Sequence, residues 1–306
     1  MTEPAIFLCF VVLVGAMLAV DLGISQRTAH FPSMKEAIAW TAVWISISLL
    51  FNLFVWLNLG QTKALEFFTG YLVEKALSVD NIFVFIVVLS YFAVPKDLQH
   101  SVLFWGVLGA VIFRGLFIGA GAALIARFHW ILYLLGAFLI YTAFRLAFQE
   151  DVEVQPEKNP FLRYCRKLFP LTEHYEGKKF FLRRDRRRYM TPLFLVLVAI
   201  ETTDIAFATD SIPAIFAITQ DTFIIFTSNI FAILGLRALY FVLAGAMKKF
   251  QYLQLGLSFV LGFIGVKMLV EPWYNVSIVI SLLTIFLILL VSVMLSMLKL
   301  RPPAKE

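Results

Sequence analysis

Long, nearly unbroken runs of apolar residues alternate with short polar segments along this chain. Most runs are about 20 residues or longer, which is enough for a helix to cross a hydrocarbon core about 30 Å thick. They lack the period-two alternation of apolar and polar residues that is typical of membrane β-strands. The pattern therefore predicts an all-α, polytopic membrane protein with about nine transmembrane helices.

The order of the nine predicted spans indicates an internal symmetry. Spans three to five and spans six to eight form two units of three helices. Because each unit has an odd number of helices, the second enters the membrane from the opposite side, and the two units are predicted to be inverted repeats. The nine spans cover residues 4–20, 37–59, 67–94, 102–126, 130–148, 191–219, 223–247, 252–270 and 274–298.

Residues 1–306 are predicted to form a single membrane domain. The two repeats make up its centre, and one long polar segment rich in Lys and Arg joins them. The predicted parts are the peripheral helices 1–66, the first repeat 67–148, the basic cytoplasmic loop 149–190, the second repeat 191–270, and the ninth helix with its tail 271–306.

Composition and charge agree with a membrane protein and suggest an orientation. The chain is 61% hydrophobic and 15% charged, whereas a soluble domain has about 45–50% apolar and about 25% charged residues. Lys and Arg concentrate in the loop 149–190, which the positive-inside rule assigns to the cytoplasm. Nine spans then place the N-terminus in the periplasm and the C-terminus in the cytoplasm. We expect this loop to contact membrane lipids. The net charge of the chain, +6, is weak evidence for nucleic acid, because the basic residues cluster in this loop and near helix ends.

Two polar clusters interrupt the third and sixth spans at corresponding positions. In each cluster an acid is followed six positions later by Asp, and then by a residue with a small amide or hydroxyl side chain. A charge at bilayer depth costs at least about 2.5 kcal/mol, so such residues are functional-site candidates by default. The two clusters consist of Glu74, Asp80 and Asn81, and of Asp204, Asp210 and Ser211.

The inverted repeats are expected to bring four carboxylates together near the bilayer midplane. Four like charges in a low dielectric cannot all be ionised without a counter-charge, so a divalent cation or protons must occupy them. Carboxylate, amide and hydroxyl oxygens suit Mg, Ca or Mn ions. The clusters therefore predict cation/proton exchange, with the metal as transported substrate and no permanently bound cofactor. No nucleophile–base pattern indicates an enzyme.

Helix geometry adds a condition to this prediction. Residues six apart on a straight helix lie about 9 Å apart along the axis and on different faces. The paired acids converge only if the helices are broken, and Pro213 predicts a break at 210–213. Five further polar residues are candidates for neutralising or tethering the acids, binding the ion, accepting protons or joining helices: Lys75, Arg114, Glu201, Asn229 and Arg237.

Three segments resemble the TerC family of bacterial membrane proteins. They are 74–81 (EKALSVDN), 204–214 (DIAFATDSIPA) and 227–237 (TSNIFAILGLR). The resemblance covers nearly the whole chain and is closest to the Alx branch of the family. It implies export of Mn(II) from the cytoplasm across the bacterial inner membrane, with the metal bound by Glu74, Asp80, Asp204 and Asp210.

Two other functions remain open from the sequence. A Ca(II)/proton antiporter would use the same oxygen ligands. A membrane redox or stress-response component without transport activity would need a redox-active pair or a cofactor site. The two cysteines, Cys9 and Cys165, lie in an apolar run and in the basic loop, so their positions favour transport over redox chemistry.

Overall fold

The computed structural model describes residues 10, 12–17, 19, 33–148, 159–184, 187–244 and 252–298, without the side chains of Asp80 and Arg184. The described part is mostly helical, with one short antiparallel hairpin. In chain order its elements are α1 (Met34–Leu59), α2 (Gln61–Tyr91), α3 (Lys96–Arg127), α4 (Ile131–Phe148), α5 (Pro160–Leu168), β1 (Phe181–Arg184), β2 (Arg187–Met190), α6 (Pro192–Phe216), α7 (Thr222–Leu234), α8 (Leu236–Ala244), α9 (Leu253–Val270) and α10 (Ile278–Leu298).

Several of these helices are long and apolar enough to cross a membrane. Among the described residues there are six, namely α1, α3, α4, α6, α9 and α10, and the bent pair α7–α8 makes a seventh. Helix α2 has 31 residues and is about 46 Å long, but it carries more charge than the others. A multi-pass membrane protein is confirmed. The predicted first span, 4–20, lies largely outside the described residues, so the count of nine stays a prediction.

The backbone of the sixth and seventh spans differs from the prediction. Helix α6 continues through Pro213 to Phe216, so the predicted break at 210–213 is wrong. Only three helical residues follow this proline, and membrane helices tolerate one missing hydrogen bond when neighbours pack around them. The predicted seventh span is broken instead. Gly235 separates α7 from α8, and the two helices meet at a bend of 41°.

Four helices surround the interior of the bundle. Helix α2 packs against α6 and α7, α3 packs against the same two helices, and α4 packs along α9. The α4–α9 crossing is close because two glycines meet there: a Cβ atom built on Gly265 would lie 2.8 Å from the carbonyl oxygen of Gly136. Many side chains of α1 and α10 are exposed apolar groups, as expected for helices that face lipid.

The segment predicted as a basic loop is folded where the structure describes it; residues 149–158 and 185–186 lie outside that part. It contains α5 and the hairpin β1–β2. Tyr175 donates a hydrogen bond to the Phe92 carbonyl at 2.7 Å, and the rings of Phe181 and Phe194 are 4.5 Å apart. These contacts attach the segment to the end of the bundle where α2 ends and α3 and α6 begin. We call residues 159–191 the basic cap.

A buried charge cluster as candidate functional site

Four helices each contribute one side chain to a buried polar cluster: Glu74 from α2, Arg114 from α3, Asp204 from α6 and Asn229 from α7. Each of these residues is at most 1% exposed. Asp204 is the thirteenth of the 25 residues of α6, and Glu74 is the fourteenth of the 31 residues of α2. The cluster therefore lies far from the helix ends, in the interior of the bundle.

Arg114 is the centre of this cluster. Its guanidinium donates to Asp204 at two points, from Nη2 to Oδ1 at 3.0 Å and from Nε to Oδ2 at 3.2 Å. Its Nη1 donates to Glu74 Oε1 and to Asn229 Oδ1, the latter at 3.4 Å. Asn229 Nδ2 donates in turn to Glu74 Oε2 at 3.1 Å. One cation thus joins the acids of two helices, and an amide from a third helix closes the ring.

Asn81 completes the cluster on the α2 side. The amide atom that faces inward lies 3.4 Å from Asp204 Oδ1 and 3.2 Å from Arg114 Nη2. With oxygen in that position, it accepts from the guanidinium, and the amide nitrogen donates to the Leu77 carbonyl at 3.1 Å. This orientation satisfies both ends of the amide. The predicted ligand Asn81 therefore belongs to the same site as Glu74 and Asp204.

Two carboxylates and one guanidinium give the cluster a formal charge of −1 when all three groups are ionised. Removing one partner of a buried pair leaves a charge without compensation, which typically costs about 3–5 kcal/mol. Among the described side chains, no three His, Cys, Asp or Glu residues are grouped so that they could hold a metal ion. In this structure the guanidinium of Arg114 is the cation that the two acids bind.

The structure places Asp210 apart from this cluster. Its Oδ1 accepts a hydrogen bond from Thr142 Oγ1 of α4 at 3.3 Å. Because α6 is not broken between Asp204 and Asp210, the two side chains leave the helix on different faces. The side chain of Asp80 lies outside the described part. The expected convergence of four carboxylates is therefore not found among the described residues; two of the four meet.

Lys75 lies beside the break between α7 and α8. Its Nζ donates to the Ala232 carbonyl at 3.1 Å and is 2.8 Å from the position that a Cβ of Gly235 would take. The carbonyls of the last helical turn lack partners within the helix, and Lys75 supplies a donor there. The other predicted cation, Arg237, is the second residue of α8, directly after the break. Lys75 therefore connects the break to the helix that presents Glu74.

Two predicted polar residues of α6 have buried atoms without a hydrogen-bond partner in the described structure. They are Oε2 of Glu201 and the hydroxyl of Ser211. The Glu201 carboxylate packs against α3 where Gly109 leaves space: a Cβ there would lie 2.0 Å from Oε1. Glu201 is one turn before Asp204. It is therefore an acid next to the cluster, and its Oε2 accepts no hydrogen bond in the described structure.

The predicted role of Arg114, to neutralise or tether the acids, is confirmed for Glu74 and Asp204. Sequence reasoning missed two other features of this region. It did not find Thr142, because a threonine in an apolar helix usually bonds its own backbone. The break at Gly235 was also missed, since a single glycine in an apolar run does not distinguish a break from close packing.

The fold and the cluster define a class: a polytopic α-helical membrane protein with a charged site buried inside its bundle. Residues 59–302 match the model of the integral membrane protein TerC family, and the chain belongs to that family. It is 48% identical to the membrane protein STKORF319 of Myxococcus xanthus over 98% of this chain and 94% of that protein. It is 46% identical to Alx of Escherichia coli (strain K12), described as a candidate membrane-bound redox modulator, over 94% of this chain and 93% of that protein. No solved structure matches the chain.

Proposed function

We propose that this protein exports Mn(II) from the cytoplasm across the bacterial inner membrane in exchange for protons. The observation that supports this most directly is the meeting of Glu74 and Asp204 in the interior of the bundle, bridged by a cation. The two acids occupy corresponding positions in the two predicted repeats. The family resemblance implies Mn(II), and the oxygen ligands are those that this ion prefers.

The helix contacts support the inverted repeat on which this proposal draws. A two-fold axis that exchanges α2 with α6, α3 with α7–α8, and α4 with α9 would turn the α2–α7 contact into the α6–α3 contact. Both contacts are present. Helices α4 and α9 pack on each other. A contact between two helices that the axis exchanges is consistent with this symmetry. The axis would pass through the cluster, close to both acids.

Arg114 and the transported ion compete for the same carboxylates. Arginine stays protonated in proteins, so Mn(II) binds both acids only when the guanidinium moves away. The amide oxygens of Asn81 and Asn229, which now accept from or face Arg114, are then available as neutral ligands. We infer that Arg114 holds Glu74 and Asp204 in place between transport cycles and thereby spares the empty site two uncompensated buried charges.

Proton exchange removes the electrical cost of export. Moving a divalent ion out against an inside-negative potential costs about 4.6 kcal/mol per 100 mV. Two protons that enter for each ion that leaves cancel this charge term. Two carboxylates that exchange two protons for one Mn(II) provide this stoichiometry. Glu201, whose buried oxygen has no partner in the described structure, is the candidate to pass protons to Asp204.

Two other functions make different predictions. A Ca(II)/proton antiporter would use the same cluster with a different ion preference. A redox function, which the description of the Escherichia coli relative suggests, would depend on a thiol. Cys165 is a free, half-buried cysteine on α5, whereas Cys9 lies outside the described residues. A redox role therefore predicts that Cys165→Ser removes function and that the acids of the cluster do not matter.

Transport by purified protein in liposomes tests the proposal. Mn(II) movement is followed with an entrapped metal-sensitive dye, with and without an imposed pH gradient. We expect gradient-dependent movement that Glu74→Gln and Asp204→Asn reduce to the level of empty liposomes. Glu173→Gln, which changes an exposed acid of the basic cap, is the matched control and should transport normally.

The other outcomes assign the function elsewhere. If Mn(II) transport does not depend on the pH gradient, the proposed exchange with protons is wrong. A clear preference for Ca(II) over Mn(II) would support the antiporter for that ion. If no metal moves and Cys165→Ser abolishes the cellular phenotype, the transport proposal fails and the redox function replaces it.

A further inference from the structure

The positive charge of the chain is concentrated in the basic cap. Residues 159–191 contain ten Lys and Arg and three acidic residues, a net charge of +7, whereas the whole chain carries +6. The rest of the chain therefore has a net charge of −1. A surface with such an excess attracts anionic partners. The charge cluster inside the bundle does not account for this surface charge, because its one cation, Arg114, is fully buried.

The hairpin of the cap places like charges directly opposite each other. In its register Arg183 pairs with Arg188, and Arg184 pairs with Arg187. Directly opposite residues share one face of a ribbon, and like charges there are destabilising. Arg183 and Arg188 are exposed, and among the described residues neither forms an ion pair with a carboxylate. An anion bound by both would remove the repulsion, and the guanidinium fork suits a phosphate.

Helix α5 of the cap has an exposed apolar stripe beside its basic residues. Its inner face is formed by Leu162 and Cys165, which pack against the bundle. Phe161 and Tyr164 are 60% and 62% exposed, and Leu168 extends the stripe at 54%. The spacing of one and two turns puts these three side chains on one side of the helix. Apolar and basic groups combined in this way are typical of helices that lie in a membrane interface.

The cap is attached directly to two helices that are long and apolar enough to span a membrane, α3 and α6. Strand β2 ends at Met190 and α6 begins at Pro192, so the hairpin is directly joined to a membrane-spanning helix. Asn159, which caps α5, donates to Thr202 of α6 at 2.8 Å. Phe180 packs edge-on against Trp105 of α3, with 6.1 Å between ring centroids. These contacts hold the cap against α3 and α6, at the end of the bundle where α2 ends.

We propose that the basic cap binds the headgroups of anionic phospholipids, with the Arg183–Arg188 pair on the phosphate and the exposed stripe of α5 in the interfacial layer. A soluble polyanion would use the arginines but leave the apolar stripe without a role. A protein partner would not need the stripe to lie next to the bilayer. This inference does not depend on which ion the protein transports.

Binding of individual lipids to the purified full-length protein tests this inference. Native mass spectrometry in detergent is used to compare phosphatidylglycerol with phosphatidylethanolamine of the same chain length. For Arg183→Gln/Arg188→Gln we expect roughly thirtyfold weaker phosphatidylglycerol binding, since each of the two basic residues near an anionic surface adds about 1 kcal/mol. Phosphatidylethanolamine binding should not change. Raising the salt concentration should reduce the difference between the two lipids.

Two further variants make the result decisive. Arg183→Lys/Arg188→Lys keeps both charges and should retain most of the binding. Lys35→Gln/Arg127→Gln removes two positive charges outside the cap and should behave as the unchanged protein. The proposal is overturned if the Arg183→Gln/Arg188→Gln protein binds phosphatidylglycerol as well as the control does. It is also overturned if inorganic polyphosphate binds the cap without displacing phosphatidylglycerol. Equal binding of phosphatidylglycerol and phosphatidylethanolamine by the unchanged protein would overturn it as well.

Discussion

Arg114 donates two hydrogen bonds to Asp204, from Nη2 to Oδ1 at 3.0 Å and from Nε to Oδ2 at 3.2 Å. The same guanidinium contacts Glu74. Arginine is suited to this task because its planar fork matches both oxygens of a carboxylate. The contact ties α3 to α6, and through Glu74 to α2.

Replacement of this arginine should destabilise the protein unless the acids are removed with it. Arg114→Gln leaves Glu74 and Asp204 buried without a cation, and we expect it to lower the free energy of unfolding by about 3–5 kcal/mol. The triple variant with Glu74→Gln and Asp204→Asn has no buried charge in the cluster and should recover most of this loss. Thermal unfolding of the purified proteins measures both.

Arg127→Gln is the control for that comparison, because Arg127 is the last residue of the same helix, α3. It should unfold like the unchanged protein. If Arg114→Gln were equally stable in the absence of metal, the guanidinium would not be the counter-charge of the two acids. Added Mn(II) should stabilise Arg114→Gln more than the unchanged protein, since the ion no longer competes with the guanidinium.

Lys75 is expected to stabilise the break in the predicted seventh span. Lys75→Met removes the donor to the Ala232 carbonyl and leaves a buried acceptor without it, which costs about 1–3 kcal/mol. Lys35→Met, in the exposed first turn of α1, should have little effect. Thermal unfolding distinguishes the two variants, and equal stability would mean that Lys75 does not support the break.

Gly109 leaves space for Glu201 on the neighbouring helix. Gly109→Ala puts a methyl group where the carboxylate lies, so Glu201 must move, and we expect a loss of about 1–3 kcal/mol. Gly119→Ala on the same helix meets nothing within 4 Å and is the control. Adding Glu201→Ala to Gly109→Ala should restore stability; if it does not, the contact between the two residues is not the cause.

Gly265 permits the close crossing of α4 and α9. Gly265→Ala places its Cβ 2.8 Å from a backbone oxygen of α4, which cannot move aside as a flexible side chain can. We expect about 1–3 kcal/mol of destabilisation. Gly262→Ala, one turn earlier on α9, makes an ordinary contact at 3.6 Å and should be tolerated. Urea or thermal unfolding compares the stability of the two variants. Equal stability would contradict the conclusion that the close crossing of α4 and α9 requires glycine at position 265.

Much of the fold follows from local properties of the sequence. The runs that form α1, α3, α4, α9 and α10 are apolar over the length of a bilayer, and in lipid a backbone must satisfy its own hydrogen bonds, so a helix is the only solution. Charged residues inside such runs are costly wherever they are. For this reason Glu74 and Asp204 could be recognised as site residues before any contact between them was known.

The grouping of these residues depended on the tertiary structure. Whether Asp210 joins Asp204 is decided by the backbone between them, and α6 continues as one helix through Pro213. The break formed at Gly235, where Lys75 from another helix reaches the backbone. The sequence alone determined that this is a membrane protein with acids in its interior. Which acids meet, and that Arg114 joins them, was decided by side-chain contacts between helices that are far apart in the chain, and no local pattern encodes those contacts.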